Sequence, residues 1–261
     1  MYFERLPAKK ARAATVVLSS GLGGSAHFWQ RQLEALRTDY HVIVYDQLGT
    51  GRSPAGLPKN YSIQHMSDEL SQLLDSLDIT HCHFVGHALG GLVGMQLAAD
   101  RPALLQSMVL INAWSSPNPH TLRCFNIRKA ILESCSAEIY LQTQALLLYP
   151  PDWIVNNIDL LQKEEQLALR HFPDKTNLLA RISALSQFDN EAQLRDIHVP
   201  TLVVANKDDM LVPWQRSQCL ANKLPAATLT LFDYGGHASS ITTPETFNSL
   251  LLEQLGRFSV A

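Results

Sequence analysis

Cysteine is scarce in this chain of 261 residues, and the four present, Cys82, Cys124, Cys135 and Cys219, share no paired spacing. A disulfide framework is therefore excluded, and a reduced, cytoplasmic compartment is the expectation. Charge is thin as well. Asp, Glu, Lys and Arg make up 17% of the residues, and 21 basic against 24 acidic side chains leave a formal net charge of −3. There is no basic run, so neither nucleic acid nor an anionic membrane is expected as a partner. No apolar run reaches the roughly 18 residues that a membrane span needs. The opening stretch Met1–Lys10 lacks an apolar h-region, so no signal peptide is expected. Internal repeats and low-complexity segments are missing too. No Gly-Lys-Ser/Thr and no Gly-x-Gly-x-x-Gly occurs, which leaves no phosphate cradle. His81, Cys82 and His83 stand together without a carboxylate or a further Cys/His cluster, and no metal is expected there. No other cofactor is implied.

What is present is apolar content, at 46%, enough for a substantial core. The length fits one large α/β domain with room for an insertion. Strand-like runs occur at Thr15–Ser19, His41–Asp46, Cys82–Gly86 and Met108–Asn112. Helical periodicity fills the gaps, over Phe28–Leu36, over Ser62–Leu77 with Ser62 as N-cap, and after the third strand. Continuous apolar strands alternating with helices predict a mostly parallel sheet covered on both faces. From about Ala113 to Ala192 the strand signal disappears. Helices are expected over Asn126–Leu148, Asn157–His171 and Asn177–Leu185, punctuated by Pro117, Pro119, Pro150, Pro151 and Pro173. Residues 113–192 are read as a helical cap inserted into a core made of 1–112 and 193–261. The sheet resumes at Pro200–Ala205 and Ala227–Phe232, with helices at Gln215–Lys223 and Pro244–Phe258.

The stretch that organises the rest runs Gly86-His87-Ala88-Leu89-Gly90, between a strand and a helix. It has the frame of a nucleophile elbow, Gly-x-Ser-x-Gly, with alanine in the serine position. The glycines allow a sharp turn and a close approach of backbone to backbone. A methyl group attacks nothing, so the functional question is what such a site does without its nucleophile. Three further loops leave predicted strand ends: Gly21–Ser25, Asn206–Asp209 and Tyr234–Ser239. Ligands in open α/β sheets bind beyond those ends. Together the loops offer backbone N–H groups, carboxylates and an imidazole, in the order elbow, Asp, His. Ser20, Ser25 and Ser239 sit near these loops, but none stands at an elbow.

That order, over nearly the full length, resembles the α/β-hydrolase family. The resemblance implies His237 as general base, Asp209 as its orienting acid and oxyanion donors at the N–H groups of Leu22 and Leu89. Asp209 is preferred to Asp208 because it stands four residues before Pro213, which leaves Asp208 as a loop cap. His87 within the elbow reads as structural. Trp114, Phe125, Tyr149 and Trp153 either line a pocket under the cap or pack the cap itself. Leu48 stands where the related Asp-x-Arg-Gly-x-Gly loop usually has arginine, read as a local packing change.

Gly-His-Ala-Leu-Gly with its following helix, Leu148–Trp153 and Tyr234–Ala238 are similar to a branch of the family assigned to carbamate or aminoacrylate hydrolysis in bacterial pyrimidine degradation. The resemblance implies a hydrolase of non-peptide carbon–nitrogen bonds acting on a small substrate, with a homodimer left open. Losing the nucleophile of an evolved serine hydrolase costs on the order of 10⁶ in rate. A stable ester or amide is thus a poor substrate, whereas a compound that already decomposes in water needs little help. Activation of water by His237 and Asp209 is the expectation. Two alternatives stay open: a cofactor-free lyase or oxygenase, and a ligand-binding protein without catalysis.

Overall fold

A computed structural model describes residues 1–260. Seven strands, β1 (Phe3–Leu6), β2 (Thr15–Ser19), β3 (His41–Tyr45), β4 (Cys82–His87), β5 (Leu105–Ile111), β6 (Thr201–Asn206) and β7 (Ala227–Phe232), form one sheet. Their order is β1-β3-β2-β4-β5-β6-β7. Every neighbouring pair is parallel except β1 against β3. The apolar runs therefore form a mostly parallel sheet, as their unbroken hydrophobicity predicts. The edge strand β1 has no counterpart in the sequence reading. Its side chains alternate between exposed and half-buried, so it carries little apolar signal.

Alternate strand residues feed two cores. Val17, Ile43, Phe84, Met108 and Val203 pack with Leu70 and Leu74 of helix α2 (Ile63–Ser76) and Leu92 of α3 (Leu89–Asp100). Val16, Val42, Val85, Val109 and Leu202 pack on the opposite face with Leu36 of α1 (Gln30–Leu36). Burial on both faces is why these strands read as continuous apolar runs rather than alternating ones.

Between β5 and β6 lie five helices: α4 (Pro119–Ser134), α5 (Ala137–Leu148), α6 (Pro151–Asn156), α7 (Ile158–Arg170) and α8 (Lys175–Gln187). The single helix expected over Asn126–Leu148 is two. Cys135 is extended, with φ −121° and ψ 178°, and the Ser136 side chain accepts the Ile139 N–H to start α5. A serine N-cap in mid-pattern was the available signal. The core then closes with α9 (Trp214–Lys223), α10 (Ser239–Thr242) and α11 (Pro244–Val260). Phe247, Leu251 and Leu255 of α11 join Leu36 on the second face of the sheet. Among the described residues no helix is long and apolar enough to cross a membrane.

Candidate active site

The elbow forms at the end of β4, which is buried throughout. Ala88 joins strand to helix at φ 47° and ψ −112°, a region that side chains rarely occupy. Such strain costs about 1–3 kcal/mol and persists only where the surroundings impose it. Here the Ala88 N–H donates to the Ile111 carbonyl at 2.8 Å. A Cβ on Gly90 would stand 2.1 Å from the Ser19 carbonyl oxygen, so the turn is pressed against β2. The geometry of an elbow is thus intact around a methyl group.

The loop after β2 is fixed from two sides. Gln47 donates its amide to the Ser20 carbonyl at 2.8 Å. Arg181, a fully buried residue of α8, donates to the Leu22 carbonyl at 3.3 Å and to the Gln47 side-chain oxygen. Leu89 opens α3, so its N–H has no acceptor within the helix. Leu22 and Leu89 both line one cavity with Ala88 and His237.

His237 follows β7. Its Nδ1 lies 2.7 Å from Oδ2 of Asp209, and both side chains are all but excluded from solvent. The other carboxylate oxygen of Asp209 accepts the N–H groups of Leu211 at 2.8 Å and Val212 at 2.8 Å. An acceptor at Nδ1 makes that nitrogen the protonated one and leaves the Nε2 lone pair for the cavity. Asp208 accepts from the N–H groups of Gly235 at 3.0 Å and Gly236 at 2.9 Å, which holds the loop that carries the histidine. The His237 carbonyl accepts from His87 Nε2 at 2.7 Å and from Asn112 Nδ2 at 2.8 Å. Burial, reinforced by the neighbouring His237, pushes His87 down to about 3, so its ring stays neutral.

These groups surround a cavity of about 130 Å³ whose core wall is Ser20–Ser25, His87, Ala88, Leu89, Leu211 and His237. Trp114, Phe125 and Tyr149 line it from above, whereas Trp153 packs on the Tyr149 ring with centroids 4.7 Å apart. Burial pushes the Tyr149 phenol up to about 12, so it too is neutral. Ser20 lines the cavity, and Ser239 instead accepts from Asn206 at 3.2 Å. Ser25 also reaches the cavity, its hydroxyl accepting the His27 N–H at 3.2 Å. The carboxylate of Asp46 is met by Arg52, with Nε at 2.8 Å, so nothing about it calls for an arginine at Leu48. His83 bonds Ser107 at 2.8 Å and is buried, away from exposed His81. Among the described residues no cluster of three His, Cys, Asp or Glu side chains is arranged to hold a metal ion.

One polar residue of the cavity has no motif to announce it. Arg128 of α4 is 3% exposed and lines the cavity on the side of the helices between β5 and β6. A single arginine on a helix looks like a surface charge until its neighbours are known.

Comparison with known proteins agrees with this architecture. The model of the alpha/beta hydrolase fold matches residues 14–141. A protein of Pseudomonas syringae pv. syringae (strain B728a), named "Putative carbamate hydrolase RutD", is 61% identical over 251 residues, covering 96% of this chain and 97% of its own. The chain belongs to the RutD family of α/β-hydrolases. A RutD relative from Pantoea ananatis (strain LMG 20103) is 48% identical and covers 98% of the chain and 94% of its own length. Among solved structures, a hydrolase from Pseudomonas aeruginosa PA01 superposes with a TM-score of 0.87 at 25% identity, covering 97% of this chain and 93% of that one. The enol-lactonase from Burkholderia xenovorans LB400 gives a TM-score of 0.89 at 22% identity, with 98% and 96% covered. At that distance the likeness speaks for the fold alone. The RutD-family chain thus has a hydrolase fold whose elbow lacks a nucleophile.

Proposed function

We propose that this chain hydrolyses a small, labile carbon–nitrogen compound, carbamate or 3-aminoacrylate, in pyrimidine nitrogen catabolism, without a covalent intermediate. The observation that carries the reading is the buried His237–Asp209 pair, 2.7 Å apart, which shares a cavity with Ala88 where a serine would stand. The relatives' name supports the substrate class, and the small cavity agrees with it.

With no side-chain nucleophile, water attacks directly. For 3-aminoacrylate, the imine tautomer presents an electrophilic C3. His237 Nε2 takes a proton from water as the water oxygen bonds to C3, and the imidazolium hands that proton to the imine nitrogen, which gives the neutral carbinolamine. His237 then takes the carbinolamine hydroxyl proton and passes it to the amine as the C3–N bond breaks, so that the aldehyde forms and ammonia leaves. For carbamate, the same base delivers water to the carbonyl carbon, and ammonia and bicarbonate result. Asp209 holds the ring in the required tautomer and stabilises the imidazolium. The N–H groups of Leu22 and Leu89 serve the oxygen on which negative charge develops. A positioned base supplies about 10²–10⁴-fold, which suits a substrate already unstable in water.

The test is ammonia release from freshly generated carbamate and 3-aminoacrylate, measured against the uncatalysed rate for wild type and His237→Ala. Acceleration by wild type that the variant loses is the expected result. Rates at background for both proteins would remove the hydrolase reading and leave the lyase or oxygenase reading and the binding-protein one.

A further inference from the structure

The proton chemistry leaves one charged group of the cavity unused. The guanidinium of Arg128 donates from Nη2 to the Tyr140 hydroxyl at 2.8 Å and to the Gln144 side-chain oxygen at 2.8 Å. Neither acceptor is a carboxylate. Nε has no partner, and among the described residues no carboxylate pairs with this arginine. Guanidinium does not give up its proton in proteins, and it presents five donors in a planar fork. A cation taken out of water and left unpaired is costly, so its retention in a cavity needs a counter-charge from elsewhere.

Arg181 shows the contrast. It too is buried without a carboxylate, and its Nη1 is unpartnered, but it lies outside the cavity lining, where its other donors meet the Leu22 carbonyl and Gln47. Arg128 differs in lining the cavity itself. Tyr140 and Gln144 fix the plane of its guanidinium, which also lies 5.3 Å from the Tyr140 ring centroid. Trp114, Phe125, Leu148 and Leu185 give the same wall an apolar surround, in which attraction for an anion is strong.

We infer that Arg128 binds the carboxylate of the substrate at the cap wall and so holds the reacting carbon against the core wall, beside His237. The second half rests on the function proposed above; the anion site itself does not. Two separated contacts select a small monocarboxylate whose reacting carbon is not the carboxylate carbon. In 3-aminoacrylate these are C3 and C1. In carbamate one carbon has both roles and cannot meet both walls, so the arrangement selects the former.

Propionate and propionamide, a charged and an uncharged probe of one shape, test this by calorimetric titration. Wild type is expected to bind propionate at least about tenfold more tightly than propionamide, through charge-assisted bonds. Arg128→Met removes that preference. Arg128→Lys keeps a part of it, since it retains the charge without the fork. Wild type without a preference, or folded Arg128→Met that keeps it, overturns the inference. Should Arg128→Met not fold, the Nε–H resonance of Arg128 in wild type, assigned by its loss in Arg128→Lys, decides: it moves with propionate and not with propionamide, or the inference falls. His237→Ala separates the two proposals. It is expected to bind propionate as wild type does while ammonia release is lost. Arg128-dependent binding in a wild type that releases no ammonia leaves the anion site standing and the hydrolase reading refuted.

Discussion

His87 donates its Nε2 proton to the backbone carbonyl of His237, 2.7 Å away, and thereby ties the elbow to the loop that carries His237. The ring can do this while neutral, and its Nδ1 is buried without a partner. Burial holds His87 at about 3, below its ordinary 6.5. As pH falls through 6.5, the unfolded chain binds a proton that the folded chain refuses, so stability drops progressively toward pH 3 and is flat above 6.5. Thermal melts between pH 4 and 8 are expected to show this fall, and His87→Gln to lessen it. His83, also lowered by burial, retains part of the slope in that variant.

Asp209→Asn probes the orientation of the His237 ring. The Asn side-chain oxygen can still accept from Leu211 and Val212, but its amide faces His237 Nδ1 and favours the wrong tautomer. The expected result is a loss of about 10²–10⁴-fold in kcat with little change in KM. An unchanged kcat would mean that His237 does not act as the base.

Ala88→Ser restores a hydroxyl at a position whose backbone is already that of an elbow. Stopped-flow with p-nitrophenyl acetate is expected to show a burst of nitrophenol close to one equivalent per chain, which disappears when His237→Ala is added. Absence of a burst in the folded variant would show that the N–H donors and the base are not aligned on position 88.

Two glycines are expected to behave oppositely in urea unfolding. Gly90→Ala forces a methyl to within 2.1 Å of the Ser19 carbonyl oxygen, where only backbone could move aside. A loss of about 3 kcal/mol or more is expected. Gly256, within α11, has nothing within 4 Å of an added Cβ, and Gly256→Ala is expected to gain about 0.5–1 kcal/mol.

The site could be read at its strand ends because parallel strands buried on both faces leave an unmistakable apolar run, and the loops that follow carry glycines, Asp209 and His237 in order. Ala88 was visible as a missing serine. Elements whose signal depends on tertiary partners were not visible. Strand β1 exists because Phe3–Leu6 finds β3, not because of its own pattern. The break at Cys135 is a cap signal weaker than the helical periodicity on either side. Short α6 follows Pro150, which reads as a terminator. Arg128 was invisible for a different reason: its role depends on which carboxylates are absent around it, and absence in space leaves no mark along the chain.

The His237 carbonyl is held by His87, 150 residues earlier, and by Asn112, 125 residues earlier. A chain emerging from the ribosome therefore presents the elbow sequence and Leu22 and Leu89 long before His237. Leu211, His237 and the α11 side chains of the second core all arrive in the last quarter of the chain, so no shorter fragment holds the complete cavity. Proteolytic loss of that final segment would take away His237 together with Phe247, Leu251 and Leu255, so the site and one of the two cores are lost in the same cut.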